Sequence, residues 1–185
     1  MYYFTESHFE RAVLEVLQEY DYEILFGGEV TRDYRNPLYM DALEDSLHRI
    51  NRELPTMAIE EAARRLQSLD AGTLVQKNKQ FTEWLQNGME VSFEEGGETV
   101  TRLVKLVDYD KVQNNSFVAI NQWSVQGATG AVKRPDIVVF VNGLPLVVVE
   151  LKSGSREEVS TTDAYLQLRN YMQVIPELFW YNGFC

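Results

Sequence analysis

The chain has 185 residues, 45% of them apolar and 24% charged, with a formal net charge of −11. This composition is typical of a globular domain with its own core and excludes a disordered chain. No apolar stretch approaches the roughly 18 residues of a membrane span, no secretory signal is recognisable, and the one cysteine, Cys185, suits a reducing compartment. We therefore expect a cytoplasmic protein without a membrane partner.

In the first half of the sequence, apolar residues recur mainly at helical spacing. This periodicity predicts helices over 6–19, 40–52 and 56–69, a short helix over 81–86, and one strand over 22–26. Thr5 is the expected N-cap of the first helix. His8 and His48 are isolated histidines, for which we expect positions on helix surfaces.

In the second half the apolar period changes to two. We expect strands over 100–107 and 117–125, preceded by a hairpin turn at Gly96-Gly97, and then two apolar runs, 137–141 and 146–149, joined at Asn142-Gly143. A polar connection over 154–158 leads to a helix from about 160, capped by Ser160 and its neighbours, to 175. Pro176 ends this helix, and a further strand begins at 178–184. The pattern predicts an α/β or α+β fold with a mixed sheet flanked by helices.

The hairpin around Asn142-Gly143 has charged ends. Asp136 precedes its first strand, and Glu150 and Lys152 follow its second. Two carboxylates suit Mg²⁺, which takes one or two carboxylates and keeps several waters, and a neighbouring ammonium can stabilise charge developing on a phosphate. The alternative is that these residues have no catalytic role. They would then be solvated charges at the strand ends, or a cross-strand ion pair that stabilises the fold by less than about 1 kcal/mol.

The two interpretations differ in a geometric requirement. Side chains alternate across a strand, so a strict two-residue loop at Asn142-Gly143 would pair Asp136 with Val149 and turn Glu150 to the opposite face. A site shared by Asp136 and Glu150 therefore requires a three-residue loop or a bulge, with Gly143 at positive φ. We predict such a departure from the simple turn.

The sequence around Asp136, Glu150 and Lys152 resembles that of a known family. Pro135-Asp136 with Glu150-Leu151-Lys152 is similar to the PD-(D/E)xK nuclease motif, and the longer string RPDIVVFVNGLPLVVVELK resembles the N-terminal nuclease domain of the R subunit of type I restriction enzymes. The flanking strings NKQFTEWLQNGMEV, NNSFVAINQWSVQG and AYLQLRNYMQVIPELFWYN extend the resemblance over essentially the whole chain.

The resemblance implies a restriction-endonuclease-like core and a role for each matching residue. Asp136 and Glu150 would be the metal ligands and Lys152 the catalytic lysine. Gln167 and Tyr171 match an additional Gln-x-x-x-Tyr motif that in the family supports DNA handling or cleavage, although on spacing alone they also suit an ordinary amphipathic helix. The family's first-helix glutamate would be Glu10, with Glu6 as the alternative. Either could instead be a solvated charge near the helix amino terminus.

The resemblance also implies a function and partners. It predicts a Mg²⁺-dependent endonuclease hydrolysing double-stranded DNA, by one or two metals, to leave a 5′-phosphate. In the family ATP is used by motor domains further along the R subunit, S-adenosylmethionine by the methyltransferase (M) subunit, and the site is recognised by the specificity (S) subunit. We expect residues 1–185 to be one nuclease domain, an N-terminal fragment without the motor domains. The alternatives are a resolvase-like or repair nuclease of the same superfamily, or a non-catalytic docking domain.

The charge distribution bears on DNA binding. Residues 131–170 contain five Lys or Arg and five Asp or Glu, so the rest of the chain carries the whole charge of −11. Phosphate binding needs basic residues. We therefore expect part of any grip on DNA to come from other domains or subunits, and the isolated chain to cut poorly.

Overall fold

A computed structural model describes residues 5–152 and 161–185 of the chain. The expected polar connection over 154–158 and the expected cap Ser160 lie outside these residues. Contacts divide the chain into two compact units, described separately below. Unit 1 is Met1–Pro37, Phe117–Phe140 and Pro145–Cys185, and unit 2 is Leu38–Ser116 and Val141–Leu144.

The described residues form six α-helices and eight strands. In chain order the helices are α1 Glu6–Glu19, α2 Met40–Ile50, α3 Thr56–Gln67, α4 Leu74–Asn87, α5 Thr161–Val174 and α6 Pro176–Phe179. The strands are β1 Glu23–Phe26, β2 Met89–Glu95, β3 Glu98–Val104, β4 Phe117–Asn121, β5 Val125–Gln126, β6 Val132–Lys133, β7 Ile137–Val141 and β8 Leu144–Val149. Among the described residues, no helix combines the length and apolarity needed to cross a membrane.

The main sheet has the strand order β1-β4-β7-β8. β1 runs parallel to β4, from Glu23 opposite Val118 to Phe26 opposite Asn121. β4 and β7 are antiparallel, because the hydrogen bond from Gln122 N to Asp136 O at one end is matched by one from Asn142 N to Ser116 O at the other. The predicted mixed sheet flanked by helices is confirmed.

The loop between β7 and β8 contains only Asn142 and Gly143, at φ 52° and 77°. Positive φ at both positions is what a type I′ hairpin turn requires, so the alternative of a three-residue loop is wrong. In a strict two-residue hairpin, alternate residues from Leu144 onward would direct their backbone groups toward β7. Val148 N instead donates to Phe184 O at 3.1 Å, on the other edge. The pairing therefore departs from the strict register before Leu146.

The packing of the sheet shows the same shift. On one face Ile137 and Val139 of β7 form a core cluster with Leu14 of α1, and Val147 and Val149 of β8 pack against that cluster. A strict register would place Val148, not Val147 and Val149, on the face of Ile137. The predicted departure from the simple turn is confirmed. Since side chains alternate, Asp136 and Glu150 lie together on the opposite face.

Unit 2 contains α2, α3, α4 and the antiparallel hairpin β2–β3. The hairpin pairs Met89 with Val104 through to Glu95 with Glu98, and it turns at Gly96-Gly97 as predicted. Helices α2 and α3 bury apolar residues at helical spacing: Leu43, Leu47, Ala58, Ile59, Ala62, Ala63 and Leu66.

Several predicted boundaries are wrong. The short helix over 81–86 is the 14-residue α4, whose start is fixed by Thr73, the side chain of which accepts from Gln76 N. The strand predicted over 100–107 runs from Glu98 to Val104. Its partner, the strand Met89–Glu95, is not among the predicted strands, although the turn at Gly96-Gly97 that joins the two is. The strand over 117–125 ends at Asn121, because Gln122 adopts a positive φ of 54° and leaves the extended conformation.

The carboxyl-terminal prediction also needs correction. Residues 178–184 do not form a strand. Pro176 occupies the first turn of α6, a position that suits its fixed φ and missing N–H. Only Phe184 makes an isolated parallel bridge, with Val147. On α5, Tyr165 and Leu166 are exposed, and Tyr171 is the buried residue of this helix.

Candidate active site

Asp136, Glu150 and Lys152 come together at the outer end of the β7–β8 hairpin, in unit 1. Asp136 Oδ2 accepts from the backbone N–H of Leu151 at 2.7 Å, which holds the first carboxylate against the segment between the other two residues. Lys152 Nζ lies 2.5 Å from Glu150 Oε1. The register shift described above is what permits this arrangement.

The Glu150 side chain is more enclosed than that of Lys152. It is 2% exposed, against 20% for Lys152. Burial raises the pKa of Glu150 and the neighbouring Asp136 carboxylate adds to that rise, although the hydrogen bond from Lys152 opposes it. An environment that resists the negative charge of Glu150 is one in which an additional cation would be bound favourably.

The Gln-x-x-x-Tyr pair of α5 is directly connected to this carboxylate. Tyr171 donates from its hydroxyl to Glu150 Oε2 at 3.1 Å, and Gln167 Nε2 donates to the Tyr171 oxygen at 2.5 Å. Burial raises the pKa of Tyr171 to about 12, so the phenol retains its proton at neutral pH. The two residues face the site, one helical turn apart, and the interpretation as an ordinary amphipathic helix does not account for these contacts.

Glu10 of α1 is held at the end of β4. Its Oε1 accepts from Asn121 Nδ2 at 2.7 Å and its Oε2 from Gln122 Nε2 at 2.9 Å. These hydrogen bonds set Glu10 apart from a glutamate that is merely solvated. The side chain of Glu6, the alternative, lies outside the described side chains, so the choice between the two stays a prediction.

The described residues contain no group of three or more His, Cys, Asp or Glu side chains arranged to hold a metal ion, so Glu10 does not join Asp136 and Glu150 in such a group. The pair Asp136 and Glu150 nevertheless fits Mg²⁺ by donor chemistry. Both are hard oxygen donors on one face of the sheet, and Mg²⁺ takes one or two carboxylates and completes its shell with water. The two histidines, His8 and His48, are exposed on helices as predicted.

Sequence reasoning missed three contributors to the site: the backbone N–H of Leu151 and the amides of Asn121 and Gln122. The first is a main-chain group and has no sequence signal. Asn121 is the last residue of the apolar strand β4 and Gln122 follows it, at a position where polar residues often line a site. Nothing in the sequence links them to Glu10, more than a hundred residues earlier.

Comparisons with known proteins show the family of this chain. Residues 3–185 match the family described as type I restriction enzyme R protein N terminus. The chain is 35% identical over 186 residues to the type I restriction enzyme HindI endonuclease subunit of Haemophilus influenzae, which covers 96% of this chain and 18% of that protein. It is 32% identical over 180 residues to the putative type I restriction enzyme MjaIXP endonuclease subunit of Methanocaldococcus jannaschii, covering 93% of this chain and 17% of that protein.

The chain thus spans less than a fifth of the length of these two relatives. The family match extends over nearly all of its residues, including every residue of the site described above. The chain belongs to the family of type I restriction enzyme R protein N termini.

Proposed function

We propose that this chain is the Mg²⁺-dependent endonuclease domain of a type I restriction enzyme and hydrolyses phosphodiester bonds of double-stranded DNA. The observation that carries the proposal is the convergence of Asp136, Glu150 and Lys152 at the end of one hairpin, with Tyr171 hydrogen-bonded to Glu150. Relatives named as endonuclease subunits support the same class of activity.

In this proposal each residue has a distinct role. Asp136 and Glu150 would hold the Mg²⁺, which when bound supplies Lewis-acid activation of the phosphate and of a water. Lys152, whose side chain is 20% exposed beside Glu150, would orient the attacking water and stabilise negative charge developing on the phosphate. Tyr171 and Gln167 would fix the orientation of Glu150 through their hydrogen bonds.

The proposal extends to the larger assembly that the relatives' names indicate. We propose that the chain acts in the cytoplasm, within a longer polypeptide whose motor domains use ATP to translocate DNA, together with methyltransferase and specificity subunits. The methyltransferase subunit would use S-adenosylmethionine. The net charge of −11 supports this division of labour, because an acidic chain is poorly suited to holding a polyanion alone.

Nicking of supercoiled plasmid by the complete enzyme, with Mg²⁺ and ATP, tests the proposal. Glu150→Ala and Lys152→Ala should each abolish nicking while ATP hydrolysis by the same assembly continues. Glu157→Ala, which changes another acidic residue a few positions away, is the matched control and should cut normally. Undiminished cutting by both active-site variants would contradict the proposal and favour a non-catalytic docking domain.

A second arm addresses the isolated chain. With Mg²⁺ but without ATP or the other subunits, it should nick plasmid far more slowly than the complete enzyme. Robust ATP-independent cleavage by the chain alone would contradict the proposed dependence on the motor and favour a self-sufficient repair-like or resolvase-like nuclease.

A further inference from the structure

Asn121 and Gln122, at the end of β4, form a two-sided clamp on the Glu10 carboxylate. Asn121 donates to one carboxylate oxygen at 2.7 Å and Gln122 to the other at 2.9 Å. Hydrogen bonds to a charged acceptor are about twice as strong as those between neutral groups. With one donor on each oxygen, the carboxylate has a fixed orientation.

The main chain of Gln122 extends the connection to the catalytic hairpin. Gln122 N donates to Asp136 O at 2.8 Å, so one residue contacts Glu10 through its side chain and Asp136 through its backbone. Gln122 also has a φ of 54°, in the left-handed region, which costs a non-glycine residue roughly 1–2 kcal/mol. Such backbone strain persists where surrounding contacts enforce it, and it concentrates at functional sites.

Gly27, which follows β1, packs closely against the backbone of Asn121 and Gln122. Gly27 N donates to Asn121 O at 2.9 Å, and a Cβ at position 27 would lie only 2.6 Å from the carbonyl oxygens of Asn121 and of Gln122. Glycine at position 27 is therefore what permits the β1 and β4 backbones to meet so closely. The clamp is held by backbone as well as by side chains.

Asn121 also presents an oxygen that the described residues do not use. Asn121 is 9% exposed, and its Oδ1 is buried without a hydrogen-bond donor among them. A buried acceptor left unpaired costs about 1–3 kcal/mol. Asn121 and Glu10 also line a cavity of unit 1, together with Arg11 and apolar residues of α1 and β1. The Asn121 amide keeps this orientation because its nitrogen donates to Glu10.

We propose that Asn121 and Gln122 are positioning residues of the nuclease centre: they fix the orientation of Glu10 and, through the backbone of Gln122, its position relative to Asp136. This inference rests on the proposed function. It assigns to the Asn-Gln pair at the end of β4 a part in the nuclease centre, not only in folding.

The test uses the full-length endonuclease subunit that contains this chain, free for binding measurements and assembled with its partners for nicking. Gln122→Met and Asn121→Leu keep approximate side-chain size but remove the amides. Loss of an outer hydrogen-bond partner of a metal site typically costs 10- to 100-fold. Each variant should therefore lower nicking by about 10- to 100-fold and weaken Mg²⁺ binding, measured by calorimetry without nucleotide, by about 10-fold or more. Gln113→Met, at an exposed position of unit 2, is the matched control and should change neither.

An exchange variant separates positioning from simple structural support. Glu10→Gln combined with Gln122→Glu can restore a hydrogen bond between the two side chains, but it moves the carboxylate to the other element. The melting temperature should return toward that of the parent, while nicking and Mg²⁺ binding stay reduced. Recovery of all three would overturn the inference. If the single variants do not fold, the exchange variant still decides the question.

The outcome also distinguishes this inference from the proposed function. Undiminished nicking by Glu150→Ala would end the proposed function, whatever the Gln122 variants do. An inactive Glu150→Ala, beside Gln122→Met and Asn121→Leu variants with parental nicking and parental Mg²⁺ affinity, would overturn the positioning role alone.

Discussion

The hydroxyl of Tyr171 lies 3.1 Å from Oε2 of Glu150, and it joins helix α5 to the charged end of the β7–β8 hairpin. The same carboxylate meets Lys152 through its other oxygen, and Gln167 donates to the Tyr171 hydroxyl. Glu150 is thus the shared partner of Lys152 and Tyr171, two of the residues that the family resemblance singles out. Most of the predictions below concern the orientation or the charge of this carboxylate.

Tyr171→Phe should impair cleavage with little effect on folding. The change removes the hydroxyl that donates to Glu150 but keeps the buried ring. We expect plasmid nicking by the complete enzyme to fall about 10- to 100-fold and the free energy of unfolding to fall by only about 1 kcal/mol. Tyr165→Phe is the control on the same helix, since Tyr165 is 58% exposed, and it should nick at the parental rate. Equal nicking rates for the two variants would contradict a role for the hydroxyl.

Lys152→Met should destabilise the protein as well as inactivate it. The Glu150 side chain is 2% exposed, so removal of the ammonium leaves a buried carboxylate without its counter-ion. Removing one partner of a buried ion pair costs about 3–5 kcal/mol. Because Lys152 is partly exposed, we expect the free energy of unfolding to fall by about 3 kcal/mol or less. Urea unfolding at pH 7 measures it.

The matching control for Lys152→Met is the double variant Glu150→Gln/Lys152→Met, which removes both charges. It should regain much of the lost unfolding free energy while remaining inactive. A double variant no more stable than Lys152→Met would show that lost packing, not the uncompensated charge, explains the effect.

Glu150→Gln should become more stable relative to the parent as pH rises. Because burial raises the folded-state pKa of Glu150 above its ordinary value of 4.5, the stability associated with its protonated form is present below that value and is lost as pH rises through the folded pKa. The neutral amide escapes this loss. Urea unfolding in the presence of EDTA measures the free energy of unfolding of both proteins from pH 4 upward. As pH rises, the value for Glu150→Gln should increase relative to that of the parent. A difference that does not vary with pH would contradict the raised pKa.

Gly143→Ala should be far more damaging than Gly97→Ala, although both glycines occupy hairpin turns at positive φ, 77° and 88°. A Cβ at Gly143 would lie 2.4 Å from Tyr39 O and 2.5 Å from Leu43 N, whereas none of the described atoms lies within 4 Å of a Cβ at Gly97. Gly97→Ala should cost roughly 1–2 kcal/mol for its backbone conformation alone. Gly143→Ala should cost clearly more, and thermal unfolding of the two variants measures the difference. Equal costs would show that the contacts around Gly143 adjust freely.

The sequence predicted much of the fold because its signals were local. The helix Glu6–Glu19 and the strand near Tyr22–Phe26 follow from apolar periodicity, and the Asn142-Gly143 and Gly96-Gly97 turns follow from residues that tolerate positive φ. The predicted boundaries were wrong where a contact with a distant residue or a single backbone angle determines where a helix or strand ends. Gln122, with its positive φ, ends β4 earlier than its apolar neighbours suggest, and no pattern of residue types predicts that angle.

Most residues of the candidate site could be predicted from the sequence, but their arrangement could not. By itself the sequence determined which groups could do the chemistry, because Asp136, Glu150 and Lys152 bracket a recognisable hairpin and resemble one family's motif. Only the tertiary structure decided that they share a face, because one shift of register before Leu146 reverses the alternation of every later side chain in β8. Tertiary structure likewise brought Tyr171 to Glu150, and Asn121 and Gln122 to Glu10, since these contacts join elements far apart in the chain.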